Sequence, residues 1–177
     1  RIAEVKARLG INKPFFLHVG ALDPHKNFKT TLNAFLVSAK SSRCQLVVVG
    51  QMDHYIKAYA DHVKEHRIKN VVFTGFIARE DLEVLYADAI ALMFMSMYEG
   101  FGFPVLEAMA QGLPVMASGR AALPEVCGEA ALMVDALDVE SIAGALKRMT
   151  GDEGLREELA AKGLDRARQF TWTRTAE

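Results

Sequence analysis

The sequence predicts a doubly wound α/β domain built on a mostly parallel sheet of six strands. Short β-rich runs recur along the chain, and segments with a helical apolar period separate them. The runs are near-continuously apolar rather than alternating, as a parallel sheet covered on both faces requires. Strand and helix alternate throughout, which implies right-handed crossovers between neighbouring parallel strands.

Taken in order, "FFLHVG" at 15–20 is the first strand, and Phe28, Leu32, Phe35, Leu36 and Ala39 mark the apolar face of the helix behind it. "QLVVVG" at 45–50 is the second strand, with Ile56, Tyr59 and Val63 as the following core-facing stripe. "VVFTG" at 71–75 is the third, followed by a helix whose face carries Leu82, Leu85 and Tyr86. "AIALMFM" at 89–95 is the fourth; Met93, Met95 and Met97 alternate along it as core residues.

Pro104 suits the first turn of a helix, because its missing N–H would have no intrahelical partner. That helix is expected from Phe103 to Gln111, with Gly112 as its stop. "PVMAS" at 114–118 and "AALMV" at 130–134 complete the strands. Asp138 then caps a helix carrying Val139, Ile142, Leu146 and Met149. A last helix is read from Asp152 to Phe170, and Gly163 inside it should cost about 1 kcal/mol relative to alanine. Gly50, Gly75 and Gly112 punctuate turns, and Trp172 is expected to pack the end of the chain. His18 reads as a strand residue satisfied by hydrogen bonding rather than as a catalyst.

At 177 residues, 51% of them hydrophobic, one domain spanning 1–177 can bury a substantial core. The formal net charge is -1 and there is no basic block, which argues against nucleic acid as a partner. Cys44 and Cys127, the latter in the loop-like "EVCGEA", lack the spacing of metal ribbons or redox dithiols and read as reduced thiols of a cytosolic protein. The most apolar run, Ala89 to Tyr98, is about half of the roughly 20 residues needed to cross a bilayer. No signal peptide or membrane contact is indicated in this stretch of chain.

Ligands of open parallel sheets sit beyond the carboxyl ends of the strands. That rule singles out "GALDPHKN" after the first strand, "GFIARE" after the third and "YEGFGFP" after the fourth. In the last of these, Gly100 and Gly102 lead into a helix whose N-terminus offers unpaired N–H groups and the positive end of a dipole, a natural phosphate site. Glu107, about one turn in, leans toward that N-terminus and can accept from two neighbouring hydroxyls such as those of a ribose. Glu99 approaches the same anion from the other side. A turn acid and an exposed helix acid are the plainer alternatives on spacing alone.

Other patterns carry less. "HVKEH" from His62 to His66 fits an H-x-x-E-H zinc signature but no third ligand is in view. "GFGFPV" begins like a dinucleotide fingerprint, yet Val105 stands at the third glycine. Asp-x-Asp is absent, so no metal-clamped diphosphate is expected and no cofactor is called for.

The stretch "YEGFGFPVLEAMAQGLPV" resembles the E-x7-E motif of GT-B glycosyltransferases, and family 4 (group 1) in particular. The resemblance extends through "HVGALDPHKNFKTTLNAF", "VVFTGFIAREDLEVLYADA", "ALPEVCGEAALMVDALD" and "RARQFTWTRTAE", in the family's order. It implies a Rossmann-like, nucleotide-sugar-binding C-terminal half. The N-terminal acceptor domain of such enzymes has no match here, so the resemblance implies a half that binds donor without turning over.

Carried over by resemblance, Glu99 contacts the donor sugar, Glu107 holds the ribose, and the amides of Gly100, Phe101, Gly102 and Phe103 face the diphosphate and sugar. Lys26 matches the phosphate-binding lysine, and Gly20 the glycine ending the first strand. Lys26 and Glu99 are the catalytic candidates. Phe76 and Ile77 fall where the family's backbone meets the nucleobase. Many members carry an arginine after the strand glycine, but Ala21 stands there, and His25 occupies the place of an alternative arginine.

The function so implied is retaining transfer of a sugar from a nucleoside diphosphate to a hydroxyl acceptor in polysaccharide or glycolipid synthesis. The donor is GDP-mannose by preference, since "DPHKN" resembles mannosyltransferase members, or a UDP-sugar. A cytoplasmic location follows, with peripheral attachment to the inner membrane face left to the full-length protein. The alternatives are a sucrose- or sugar-phosphate synthase and a non-catalytic nucleotide-sugar-binding module.

Overall fold

The computed structural model describes residues 1–38 and 43–170; Ala39 and Trp172 lie outside them. Six parallel strands form one sheet: β1 (Phe15–Val19), β2 (Gln45–Val49), β3 (Val71–Gly75), β4 (Ala91–Phe94), β5 (Val115–Ser118) and β6 (Leu132–Val134). Their order across the sheet is β3-β2-β1-β4-β5-β6, with every neighbouring pair parallel. All six strands fall within the sequence-derived runs, because each run is apolar on both faces and has a helix to cover each face.

Among the described residues, eight α-helices accompany them: α1 (Ile2–Leu9), α2 (Phe28–Val37), α3 (His54–Glu65), α4 (Arg79–Asp88), α5 (Phe103–Ala110), α6 (Leu123–Cys127), α7 (Val139–Gly151) and α8 (Glu153–Arg168). One face of the sheet packs Phe16, Leu46, Val48, Met93 and Met116 against Phe28, Phe35, Ile56, Ile142 and Leu146. The other packs Phe15, Leu17, Val47, Leu92 and Val115 against Val5, Leu85, Val105, Met109 and Leu123. Helices α2, α3 and α7 thus cover one side and α1, α4, α5 and α6 the other, the two-layer winding that the alternation implied. Each fully buried Leu, Val or Phe contributes about 1.5–3 kcal/mol.

The N-cap expected at Asp138 is present, and Asp152, read only as the start of the last helix, caps α8 as well. Asp138 accepts from Glu140 N at 3.0 Å and Asp152 from Leu155 N at 2.9 Å, each satisfying a donor that the first helical turn would otherwise strand. Helix α1 has no sequence-based expectation behind it; it is polar, with Val5 as its buried anchor, and is held to α4 by Lys6–Asp88 at 2.6 Å and Arg8–Asp81 at 2.5 Å.

Three expectations change. Cys127 closes α6 rather than sitting in a loop, and burial pushes its thiol up to about 12, against the weaker pull of Arg166. Gly163 is buried against α5: a Cβ there would lie 3.2 Å from Met109 Cγ and 3.5 Å from its Cα. The glycine therefore admits a close helix approach that offsets its poor propensity. His18 is a buried strand residue, but neither ring nitrogen has a hydrogen-bond partner.

Candidate functional site

Strands β1 and β4 lie side by side, yet the chain leaves β1 toward β2 and β4 toward β5, in opposite directions across the sheet. The two exit loops follow this topological switch point, the place where open parallel sheets generally bind their ligands. Both loops are those singled out from the sequence.

The β1 loop closes with a 3-10 turn over Pro24–Lys26, terminated by Asn27 in the left-handed region at φ 56. Asn27 Nδ2 donates to the carbonyl of Ala136 at 2.6 Å, and the His25 carbonyl accepts from Met97 N at 2.7 Å. The loop is therefore tied to the exits of both β6 and β4. The second tie delivers Lys26 to Glu99, and the two side chains form a hydrogen-bonded ion pair. Only 17% of the lysine and 13% of the glutamate side chain remain exposed. Lys26 Nζ also lies 5.3 Å from the centroid of the Phe94 ring.

The β4 loop turns into α5 through Gly102, at φ 87, a conformation that disfavours any side chain. Space there is short as well: a Cβ would lie 3.0 Å from Leu123 Cδ2. Pro104 occupies the first turn as expected, and α5 stops before Gly112. Among the described residues, the N–H groups of Gly100, Phe101, Gly102 and Phe103 have no hydrogen-bond partner. The positive end of the α5 dipole lies behind them, so they are candidate donors to an anion.

Glu107 stands one turn into α5, where its Oε2 accepts from Tyr86 Oη at 3.1 Å. The two line a cavity of about 290 Å³ that is otherwise walled by Phe76, Ile77 and Leu82 among others. Phe76 is 84% exposed, so its ring offers an uncovered apolar face beside the acid. A second cavity, of about 470 Å³, shares Glu107 and lies against Phe101, Phe103 and Phe170.

The sequence-derived residues thus fall into two groups. Lys26 pairs with Glu99 between the loops that leave β1 and β4; Phe76, Ile77 and Glu107 share a cavity. Gly20 ends β1, but its N–H already donates to Val49 O at 2.9 Å, so it adds no free donor. Ala21 adds no charge, and His25 is exposed. His62 sits on α3 and His66 caps its C-terminus, with His66 Nδ1 2.9 Å from the His62 carbonyl.

Two residues escaped the sequence reading. Asn27 carried a usable signal, since asparagine tolerates the left-handed conformation that ends such a turn. Tyr86 was read as core only, although a buried tyrosine normally finds a partner for its hydroxyl.

A doubly wound sheet that carries a cation, two acids and four unpaired amides on the segments leaving β1 and β4 is a Rossmann-like α/β domain. The chain belongs to the glycosyl transferases group 1 family, whose profile matches residues 2–166. It is 34% identical over 164 residues to O-antigen chain mannosyltransferase B of Escherichia coli, covering 89% of this chain and 42% of that protein. The solved sucrose-phosphate synthase of Thermosynechococcus elongatus superposes with a TM-score of 0.83 at 30% identity, over 98% of this chain and 46% of that one. The C-terminal domain of a glycosyl transferase group 1 family protein from Francisella tularensis superposes with a TM-score of 0.78 at 26% identity, over 96% of this chain and 92% of that domain. The chain spans less than half the length of the curated relatives that head its matches. Among the described residues, no helix is long and apolar enough to cross a membrane.

Proposed function

We propose that this chain is the donor-binding half of a retaining family 4 glycosyltransferase. It moves a sugar, mannose by preference, from a nucleoside diphosphate to a hydroxyl acceptor during polysaccharide or glycolipid assembly on the cytoplasmic side. The observation that carries this reading is the ordered row of groups at the switch point: Lys26 with Glu99, four free amides, then Glu107. The order of Glu99, the amides and Glu107 along the β4 loop and α5 is the order of the sugar, diphosphate and ribose in a nucleotide sugar. The relation to an O-antigen mannosyltransferase supports mannose and polysaccharide assembly.

In this reading the amides and Lys26 meet the charge that grows on the diphosphate as it leaves, while Glu99 positions the sugar. That assigns charge neutralisation to the chain's own groups and calls for no metal. With Ala21 in the place of a second cation, the four amides carry more of the load.

Calorimetric titration with GDP, UDP and ADP, and with GDP-mannose and UDP-glucose, tests the reading. GDP and GDP-mannose are expected to bind tightest; absence of binding by all five compounds overturns it. Glu107→Ala should weaken free nucleotide and nucleotide sugar alike, whereas Glu99→Ala should remove the added affinity due to the sugar without weakening free nucleotide. A second reading, a sugar-phosphate synthase, draws on the match to sucrose-phosphate synthase. It differs in the acceptor, so product analysis with sugar-phosphate and lipid-linked acceptors separates the two in a full-length protein.

A further inference from the structure

Glu107 lies on the exposed side of α5, where a glutamate side chain is ordinarily free to sample several rotamers. Here one neighbour restrains it. Tyr86 comes from α4, its side chain 3% exposed and packed in the same core cluster as Leu85, Val105, Ala108 and Met109. It also lines the cavity, and its hydroxyl donates to Glu107 Oε2 at 3.1 Å. A rigid ring thus fixes the position of the donor, and the donor fixes the carboxylate.

The hydrogen bond also orders the acceptor sites. A carboxylate offers about four lone-pair sites, of which the phenol takes one. Among the described residues no other hydrogen bond is made to this carboxylate, so Oε1 and the remaining site on Oε2 are available to two adjacent hydroxyls. Burial, and after it the charge of Glu107, raise the phenol well above its ordinary acidity range, so it remains a donor at any working pH.

We propose that Tyr86 is a positioning residue that holds Glu107 in the one orientation able to accept from both hydroxyls of a ribose, and so sets selectivity for ribonucleotides over nucleotides lacking that diol. This rests on the reading of Glu107 as the ribose-binding acid. Tyr86 does not touch the ligand in this arrangement. Its effect passes through the carboxylate, and it should appear as a selectivity rather than as a general loss of affinity.

The test is calorimetric titration of the chain and of its Tyr86→Phe and Glu107→Ala variants with GDP, UDP and ADP, each beside its 2′,3′-dideoxy analogue. Hydrogen bonds to a charged acceptor predict that the unaltered chain prefers the ribonucleotide by about 10- to 100-fold. Tyr86→Phe should cut that preference by about three- to ten-fold while leaving dideoxynucleotide affinity and the melting temperature nearly unchanged. Glu107→Ala should abolish it. A full preference in Tyr86→Phe, or equal weakening of both ligands, overturns the inference and leaves the ribose assignment standing. A ratio near one in the unaltered chain, or no binding by any nucleotide, overturns the ribose assignment and the inference with it.

Discussion

Lys26 and Glu99, 73 positions apart in the chain, meet as an ion pair at the point where β1 and β4 part. Neither is drawn there by its own neighbours in sequence. The tie from Met97 N to the His25 carbonyl brings the two loops together, and the pair completes the junction. In the proposed reading, an incoming diphosphate meets a lysine already engaged by a carboxylate and must draw it away.

That competition gives opposite effects for two substitutions. Glu99→Gln keeps the shape and removes the competing charge, so free GDP should bind about three-fold more tightly, a gain below 1 kcal/mol. Lys26→Ala should weaken GDP by about ten-fold or more, in line with the loss of a charge-assisted hydrogen bond. Titrations at low and moderate salt check both; weaker binding by Glu99→Gln would mean that the pair assists the anion instead of competing with it.

Asn27 supports Lys26 from behind. Asn27→Ala loses the bond to Ala136 and places a Cβ-bearing residue without a local polar partner at positive φ, at a combined cost of about 2 kcal/mol. Asn27→Gly restores the backbone freedom but not the bond, so its stability should fall between the two. Urea denaturation ranks the three, and the order Gly below Ala would contradict the backbone argument.

The strands and helix faces were legible because burial on both sides of a parallel sheet leaves an uninterrupted apolar signature, as "QLVVVG" shows for β2. The order of β1 and β4 as neighbours leaves no such trace, and it is this adjacency that puts Lys26 beside Glu99. Glu107 was legible by its distance from Glu99 and the resemblance that distance completed. The hydroxyl of Tyr86 was not, because leucine or phenylalanine would fit the same helical stripe. Gly163 misled for a related reason: propensity counts the local chain, whereas its neighbour Met109 belongs to another helix.

The α5–α8 contact yields a test of that point. Gly163→Val would push a branched side chain into Met109, where even a single Cβ lies within 3.4 Å of both Met109 Cβ and Cγ. Overpacking of this kind costs about 1–3 kcal/mol. A matching fall in melting temperature is expected, along with weaker GDP binding, because α5 carries the candidate donor amides at its start. Unchanged stability would show that α8 can move away freely.

His18 makes the stability of the fold depend on pH. Burial, and behind it the charge of Lys26, hold its imidazole down to about 4 from an ordinary 6.5. Backbone groups of Met93 and Ala21 and the charge of Glu99 pull the other way, but neither ring nitrogen reaches a partner at hydrogen-bonding geometry. A depressed histidine pKa means that the unfolded chain binds the proton first as pH falls. Stability is therefore complete above about 6.5 and declines toward 4, by up to about 3 kcal/mol from this group. His18→Phe keeps an aromatic ring against Phe28, now 5.4 Å away between centroids, and removes the titrating group. Replacing an unpartnered buried polar side chain by an apolar one should leave stability at pH 7 nearly unchanged or raised. Between pH 6.5 and 4 the unaltered chain should lose more stability than the variant, as read from urea midpoints at matched ionic strength. Parallel losses in both would show that the proton enters elsewhere and that the carboxylates alone set the acid limit of the fold.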